Sequence, residues 1–124
     1  MNLLLVFIGG GLGSVCRLWT GKAVGAALGD TFPFGTLAVN VLGCFVIGLL
    51  IPAWSGQRSE PHAMRLLVVT GFLGGFTTFS AFGLETFEKF ATGRTNQALL
   101  NIALNVVVGL AAVGAGAKIG RVFG

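Results

Sequence analysis

Residues 66–84 read LLVVTGFLGGFTTFSAFGL, an uninterrupted run without a charged side chain. As a helix rising ~1.5 Å per residue, such a run is about as long as the ~30 Å hydrocarbon core of a bilayer is thick. The same stretch carries its own contradiction. Gly74 and Gly75 weaken a helix, and the hydroxyls of Thr77, Thr78 and Ser80 can bond the local backbone in place of the helical ladder. A break here frees amides and carbonyls at membrane depth, which is tolerated only where they line a cavity or bind an ion. A Gly-rich packing surface on a continuous helix is the alternative.

Outward from this segment, residues 1–16, 31–57 and 95–117 are also free of charge. The first block reaches a full span only by continuing past Arg17 and Lys22 through AVGAALG. Four helices are expected, roughly at 3–27, 34–53, 64–91 and 96–120, forming one transmembrane domain over 1–124. Pro33 suits the start of the second and Pro52 its end, while Ser59 or Glu60 ahead of Pro61 can open the third. The fold class is therefore all-α and membrane-embedded. With 54% hydrophobic and only 10% charged residues, and a mean hydropathy of +0.89, a soluble enzyme is excluded.

The formal charge of +4 comes from eight scattered Lys and Arg residues. No basic run or aromatic platform suits nucleic acid, and nothing suggests a protein substrate. In a four-span chain Arg58, Arg65, Lys118 and Arg121 fall on one side, and Lys22, Lys89 and Arg94 on the other. That near-balance gives no strong orientation by the positive-inside rule, so insertion both ways and an antiparallel pair are permitted. Small residues at Gly9–Gly13, Gly21–Gly25–Gly29, Gly71–Gly75 and Ala112–Gly116–Gly120 suit close helix packing within and between subunits. The apolar N-terminus lacks a basic leader and a cleavage pattern, so it is expected to be retained. Cys16 and Cys44 sit in apolar stretches and read as small buried thiols. His62 reads as a loop residue, and Glu85 and Lys89, four apart, as a helix-end ion pair. No metal-ligand spacing, no nucleophile–base set and no phosphate loop is visible.

Polar side chains inside spans carry the functional information. Arg17 is the deepest cation. It needs a carboxylate, a carbonyl cluster, a water cavity or an anion, unless it snorkels to the interface. Asn40 shares a small, polar stripe with Thr36, Gly43 or Cys44, and Gly48, and the fourth span carries a matching one through Asn101, Asn105, Gly109, Ala112 and Gly116. Interhelical hydrogen bonding explains either stripe, as does a hydrated edge. Phe79 and Phe82 share a helix face beside Thr78 and Ser80, where their positive ring edges can meet an anion.

GGGLGSVCR at 9–17, GTLAVNVLGCFVIG at 35–48, GFLGGFTTFSAF at 71–82 and LLNIALNVVVG in the fourth span together resemble the CrcB/Fluc family of fluoride channels. The resemblance covers nearly the whole chain. It implies a dual-topology antiparallel homodimer in the inner membrane of a prokaryote, with two pores at the subunit interface that passively export fluoride. By match, Asn40 offers its amide to the ion, Phe79 and Phe82 their ring edges, and Thr78 and Ser80 lie in the hydroxyl-bearing pore segment. Arg17 matches a vestibule arginine, Asn101 and Asn105 fall on the polar track, and the carbonyls of Gly74 and Thr77 hold a structural Na⁺ on the two-fold axis. The chain departs from the family in having no Tyr, in Asn101, Asn105 and Gly109 where Tyr and Ser are usual, and in Ala81 where Thr is common.

Physical chemistry agrees with the resemblance. Fluoride is small and strongly hydrated, so a pore must replace its water with donors, and neutral amides and hydroxyls do so without the tight binding of fixed cations. Two other readings compete. A small multidrug-type proton-coupled antiporter needs a carboxylate deep in its first span, where this chain has none. A non-transporting assembly subunit leaves Arg17, Asn40 and the irregular third span without a role.

Overall fold

The computed structural model describes residues 1–55 and 62–123. Helix α1 (Asn2–Leu28) ends where Gly29 takes a φ of 81° and returns its N–H to the Gly25 carbonyl at 2.8 Å. Helix α2 (Phe34–Ser55) begins directly after Pro33, whose carbonyl accepts from Leu37 N at 3.1 Å. Pro52 was expected to end α2 and does not; it lies inside the helix. Its ring removes one ladder bond, a local loss that the last turn survives. The candidate third-helix openers Ser59 and Glu60, with Pro61 and Arg58, lie outside the described residues.

Helix α3 covers residues 62–76 and is widened to π-type winding over Leu66–Leu73. Thr77 and Thr78 follow in extended backbone, at φ −81°, ψ 158° and φ −150°, ψ 114°. Helix α4 (Phe79–Ala91) starts under a Thr78 cap whose Oγ1 accepts from Ala81 N at 3.2 Å. Helix α5 (residues 95–123) carries a second π-type turn at Leu104–Val108. The described residues contain no strand. Four segments, Asn2–Leu28, Phe34–Pro52, His62–Ala91 and Thr95–Val122, are long and apolar enough to cross a membrane.

Two glycine seams draw these segments together. A Cβ on Gly9 would strike the Leu67 carbonyl, one on Gly13 the Phe72 carbonyl, and one on Gly75 the Gly10 carbonyl, so α1 and α3 touch backbone to backbone. Gly48, Gly116 and Gly120 join α2 to α5 in the same way, against Val113, Phe45 and Leu49. Without a hydrophobic drive between helices in lipid, such close approach supplies the packing energy. The Gly25–Gly29 end of the Gly21–Gly25–Gly29 stripe has no comparable contact. A Cβ at Gly25 would meet only Asp30 Oδ1 at 3.3 Å, and one at Gly29 nothing within 4 Å.

The burial pattern is inverted relative to a soluble protein. Phe7, Trp19, Phe87, Leu110 and Val122 are exposed, whereas Asn101, Thr86 and Lys89 are buried. Only a bilayer makes that arrangement favourable: apolar side chains face hydrocarbon, and polar ones find partners within the bundle.

Candidate functional site

The interruption at Thr77–Thr78 organises the site. Thr77 still closes the preceding turn, with its N–H and Oγ1 both reaching the Leu73 carbonyl at 3.0 and 2.9 Å. Thr78 does not continue the ladder to Gly74. Its N–H turns to Asn40 Oδ1 at 2.8 Å, and Asn40 Nδ2 donates back to the Thr78 carbonyl at 3.2 Å. An amide side chain on α2 thus stands in for the missing helical partner. The fit is close because Gly43, one turn along α2, leaves room for the Thr77 methyl group.

From Asn40 the hydrogen bonds run on in one direction. Asn40 Nδ2 donates to Asn105 Oδ1 at 2.9 Å, and Asn105 Nδ2 donates to both the carbonyl and the side-chain Oδ1 of Asn101 at 3.0 Å. Asn101 Nδ2 donates to Thr86 Oγ1 at 2.9 Å, and Thr86 Oγ1 donates to the Phe82 carbonyl at 2.7 Å. The polarity of the chain is set at both ends, since Thr78 N–H can only donate and the Phe82 carbonyl can only accept. The two N–H groups of Asn40 are both engaged.

Beside this network, Thr78 Oγ1 and Ser80 Oγ lie 3.3 Å apart, and the rings of Phe79 and Phe82 are 5.5 Å apart at 57°. Phe79 is 83% exposed, so its ring projects out of the helix bundle from the very start of α4. Arg17 turns inward, and its Nη1 donates to the Thr77 carbonyl at 3.3 Å. Of the alternatives open for this cation, the fold supplies a carbonyl and an open cleft, on whose wall Arg17 lies.

A cleft of about 980 Å³ opens between the α1–α2 connection and α4. Arg17 and Thr78 reach its wall, as do Thr36, Glu85 and Lys89, while Asn40, Asn101, Asn105, Phe79, Ser80 and Phe82 do not. Gly74 sits on an exposed surface one turn before the break. The candidate residues therefore form three groups: the cleft wall, the amide chain and the phenylalanine pair. Thr78 is common to the first two.

Three participants escaped the sequence reading. Glu85 and Lys89 do not form the expected ion pair. Glu85 Oε1 accepts from Thr36 Oγ1 at 2.6 Å and its Oε2 is buried without a hydrogen-bond partner, while Lys89 Nζ donates to the Thr31 carbonyl at 3.1 Å and to Gln97 Oε1 at 2.9 Å. Lys89 also lies 5.7 Å from the centre of the Phe32 ring. Neutral groups from α2, α5 and the α1–α2 connection reach both charges first. Thr86 is the third, and its signal was its place four residues after Phe82, on the same face of α4. The described residues contain no His/Cys/Asp/Glu cluster able to hold a metal.

The sequence model described as "CrcB-like protein, Camphor Resistance (CrcB)" matches residues 4–117 of this chain. The chain belongs to the CrcB family. Among similar proteins, one from Rhizobium etli is 47% identical over 121 residues, covering 98% of this chain and 97% of its own length. One from Agrobacterium fabrum is 44% identical over 121 residues, with the same coverage of each chain. One from Dehalococcoides mccartyi is 43% identical over 119 residues, covering 96% and 92%. Each of the three carries the name fluoride-specific ion channel FluC. Membership of the CrcB family and four apolar spans make this a multi-pass membrane protein.

Proposed function

We infer that this protein is a fluoride-selective channel that lets the ion leave the cytoplasm passively, and that it is not an enzyme. The observation that carries the reading is the third span opened at Thr77–Thr78 against the Asn40 amide, in a chain of this family. The site offers amides, hydroxyls and ring edges, and the cations near it, Arg17, Lys22, Lys89 and Arg94, stand at the cleft. Neutral donors replace hydration water without trapping the anion, whereas a line of fixed cations would hold it. The antiporter reading finds no carboxylate in α1.

The working unit of this reading is an antiparallel homodimer in the inner membrane of a prokaryote, with two pores along the subunit boundary and the third span broken at mid-membrane. The near-balanced Lys and Arg distribution supports insertion in both orientations. The exposed Phe79 ring, beside the polar break, supports a second subunit closing over it. A structural Na⁺ belongs to the same proposal. The Gly74 part of its donor set fits, because the turn of Thr78 N–H toward Asn40 leaves the Gly74 carbonyl without its helical donor, and carbonyl oxygen suits a hard cation. The Thr77 carbonyl also accepts from Arg17 and would share that oxygen with the ion. Gly74 and Thr77 of two copies would hold the ion, which supplies a positive charge that ties the two breaks together.

The test is fluoride-driven proton uptake in liposomes containing the purified protein, with chloride as the control anion. Uptake with fluoride and none with chloride is expected. Equal uptake with both anions, or none with either, overturns the reading.

A further inference from the structure

We propose that Asn105 competes with fluoride for Asn40: its side-chain oxygen holds an Asn40 N–H that the anion must take, so the ion is bound weakly and released fast. This rests on the channel reading above and assigns Asn105 the opposite of a donor's role.

Asn40 has one oxygen and two N–H groups to offer. The oxygen is taken by Thr78 N, and the N–H groups by the Thr78 carbonyl and Asn105 Oδ1. No N–H is spare. An anion arriving at this half-buried amide has to displace one acceptor or the other. The Thr78 bond is one of a reciprocal pair that closes the helix break, and losing it frays the cap of α4. The Asn105 bond is single, so it is the one exchanged.

Asn105 cannot turn its oxygen away when that happens. Its Nδ2 is held by both oxygens of Asn101, and Asn101 is fully buried with its own Nδ2 on Thr86. Rotating the Asn105 amide would set N–H against N–H at Asn40 and oxygen against oxygen at Asn101. The π-type turn at Leu104–Val108 includes Asn105 and is the wide winding often found at functional positions in helices. The oxygen therefore stays aimed at Asn40 and faces the incoming anion with like polarity. Conduction needs sites that an ion can leave, and an internal acceptor provides that without any fixed charge.

The test is the fluoride-concentration dependence of efflux from liposomes for the wild type, Asn105→Ala and Asn105→Leu, the last keeping the side-chain volume. Removing the acceptor frees an N–H, so the half-saturating fluoride concentration is expected to fall about fivefold, the worth of a typical net hydrogen bond, together with the limiting flux. Thr86→Val, which releases Asn101 and lets Asn105 swing aside, should shift half-saturation the same way by less, and it keeps the test available if the Asn105 variants do not assemble. An unchanged half-saturation with a reduced limiting flux marks Asn105 as a packing residue and overturns the proposal. A raised half-saturation marks it as a donor to the ion and also overturns it. Absence of fluoride flux in the wild type refutes the channel reading itself, a result separable from both.

Discussion

Asn40 and Thr78 exchange two hydrogen bonds across the interrupted third span, from Thr78 N–H to Asn40 Oδ1 at 2.8 Å and from Asn40 Nδ2 to the Thr78 carbonyl at 3.2 Å. The pairing mimics one rung of an antiparallel sheet, with a side chain in place of the second strand. It lets two extended residues exist between helices in a chain whose other spans stay helical. The donor used by Thr78 is the one that a continuous helix would have sent to Gly74.

Asn40→Asp tests that relationship directly. A carboxylate has no N–H, so two acceptors, the Thr78 carbonyl and Asn105 Oδ1, would face a negative charge. Each lost bond to a buried acceptor costs roughly 1–3 kcal/mol, and the charge also repels the permeating anion. Fluoride efflux followed with an ion-selective electrode should fall by at least tenfold, since ~1.4 kcal/mol already corresponds to that factor. Efflux at the wild-type rate would remove Asn40 from the pathway.

The glycine seam between α1 and α3 gives a stability prediction with an internal control. Gly13→Ala places a methyl group against the Phe72 carbonyl, which as backbone cannot yield, whereas Gly11 and Gly114 have nothing within 4 Å of a built Cβ. Overpacking of this kind costs about 1–3 kcal/mol. Thermal unfolding in detergent should drop by several degrees for Gly13→Ala and stay unchanged for Gly11→Ala. Equal behaviour of the two variants would mean that α1 and α3 do not pack as described.

How much of this could be read in advance varies by residue. The four spans were legible because charge-free runs as long as 66–84 have one physical solution in a chain this apolar. The stripes of Asn40 and of Asn101 and Asn105 were visible as helical periodicity, but their meeting was not, since Asn40 and Asn105 are 65 positions apart. Spacing misled at Glu85 and Lys89. Four residues apart in the favourable order implies an ion pair, yet a Thr36 hydroxyl and the Thr31 carbonyl come from other segments and reach each charge first. Local periodicity reports what a helix presents. It does not report what the neighbouring helix brings.

Lys89 yields a prediction about the mouth of the cleft. It is 7% exposed and joins the α1–α2 connection, through Thr31 and the Phe32 ring, to Gln97 at the start of α5. Lys89→Met keeps the aliphatic length and removes both charged hydrogen bonds, each worth about 1.5–3 kcal/mol. Amide exchange should quicken around residues 29–33, with α2 and the α1–α3 seam keeping their protection. Exchange that rises uniformly, or nowhere, would show that Lys89 does not clasp that connection.

Arg17 has two possible contributions that different substitutions separate. Its Nη1 donates to the Thr77 carbonyl at 3.3 Å, and its charge sits on the cleft wall. Arg17→Gln keeps an N–H donor and loses the charge, while Arg17→Lys keeps the charge and loses the planar reach. If the charge draws anions into the cleft, Arg17→Gln should slow fluoride efflux most at low ionic strength. The deficit should then shrink as added salt shortens the Debye length from ~10 Å at 0.1 M toward ~3 Å at 1 M. Arg17→Lys should keep most of the flux across that range. The opposite ranking, with Arg17→Gln near wild type and Arg17→Lys impaired at every salt concentration, would place the whole contribution of Arg17 in its hydrogen bond to Thr77.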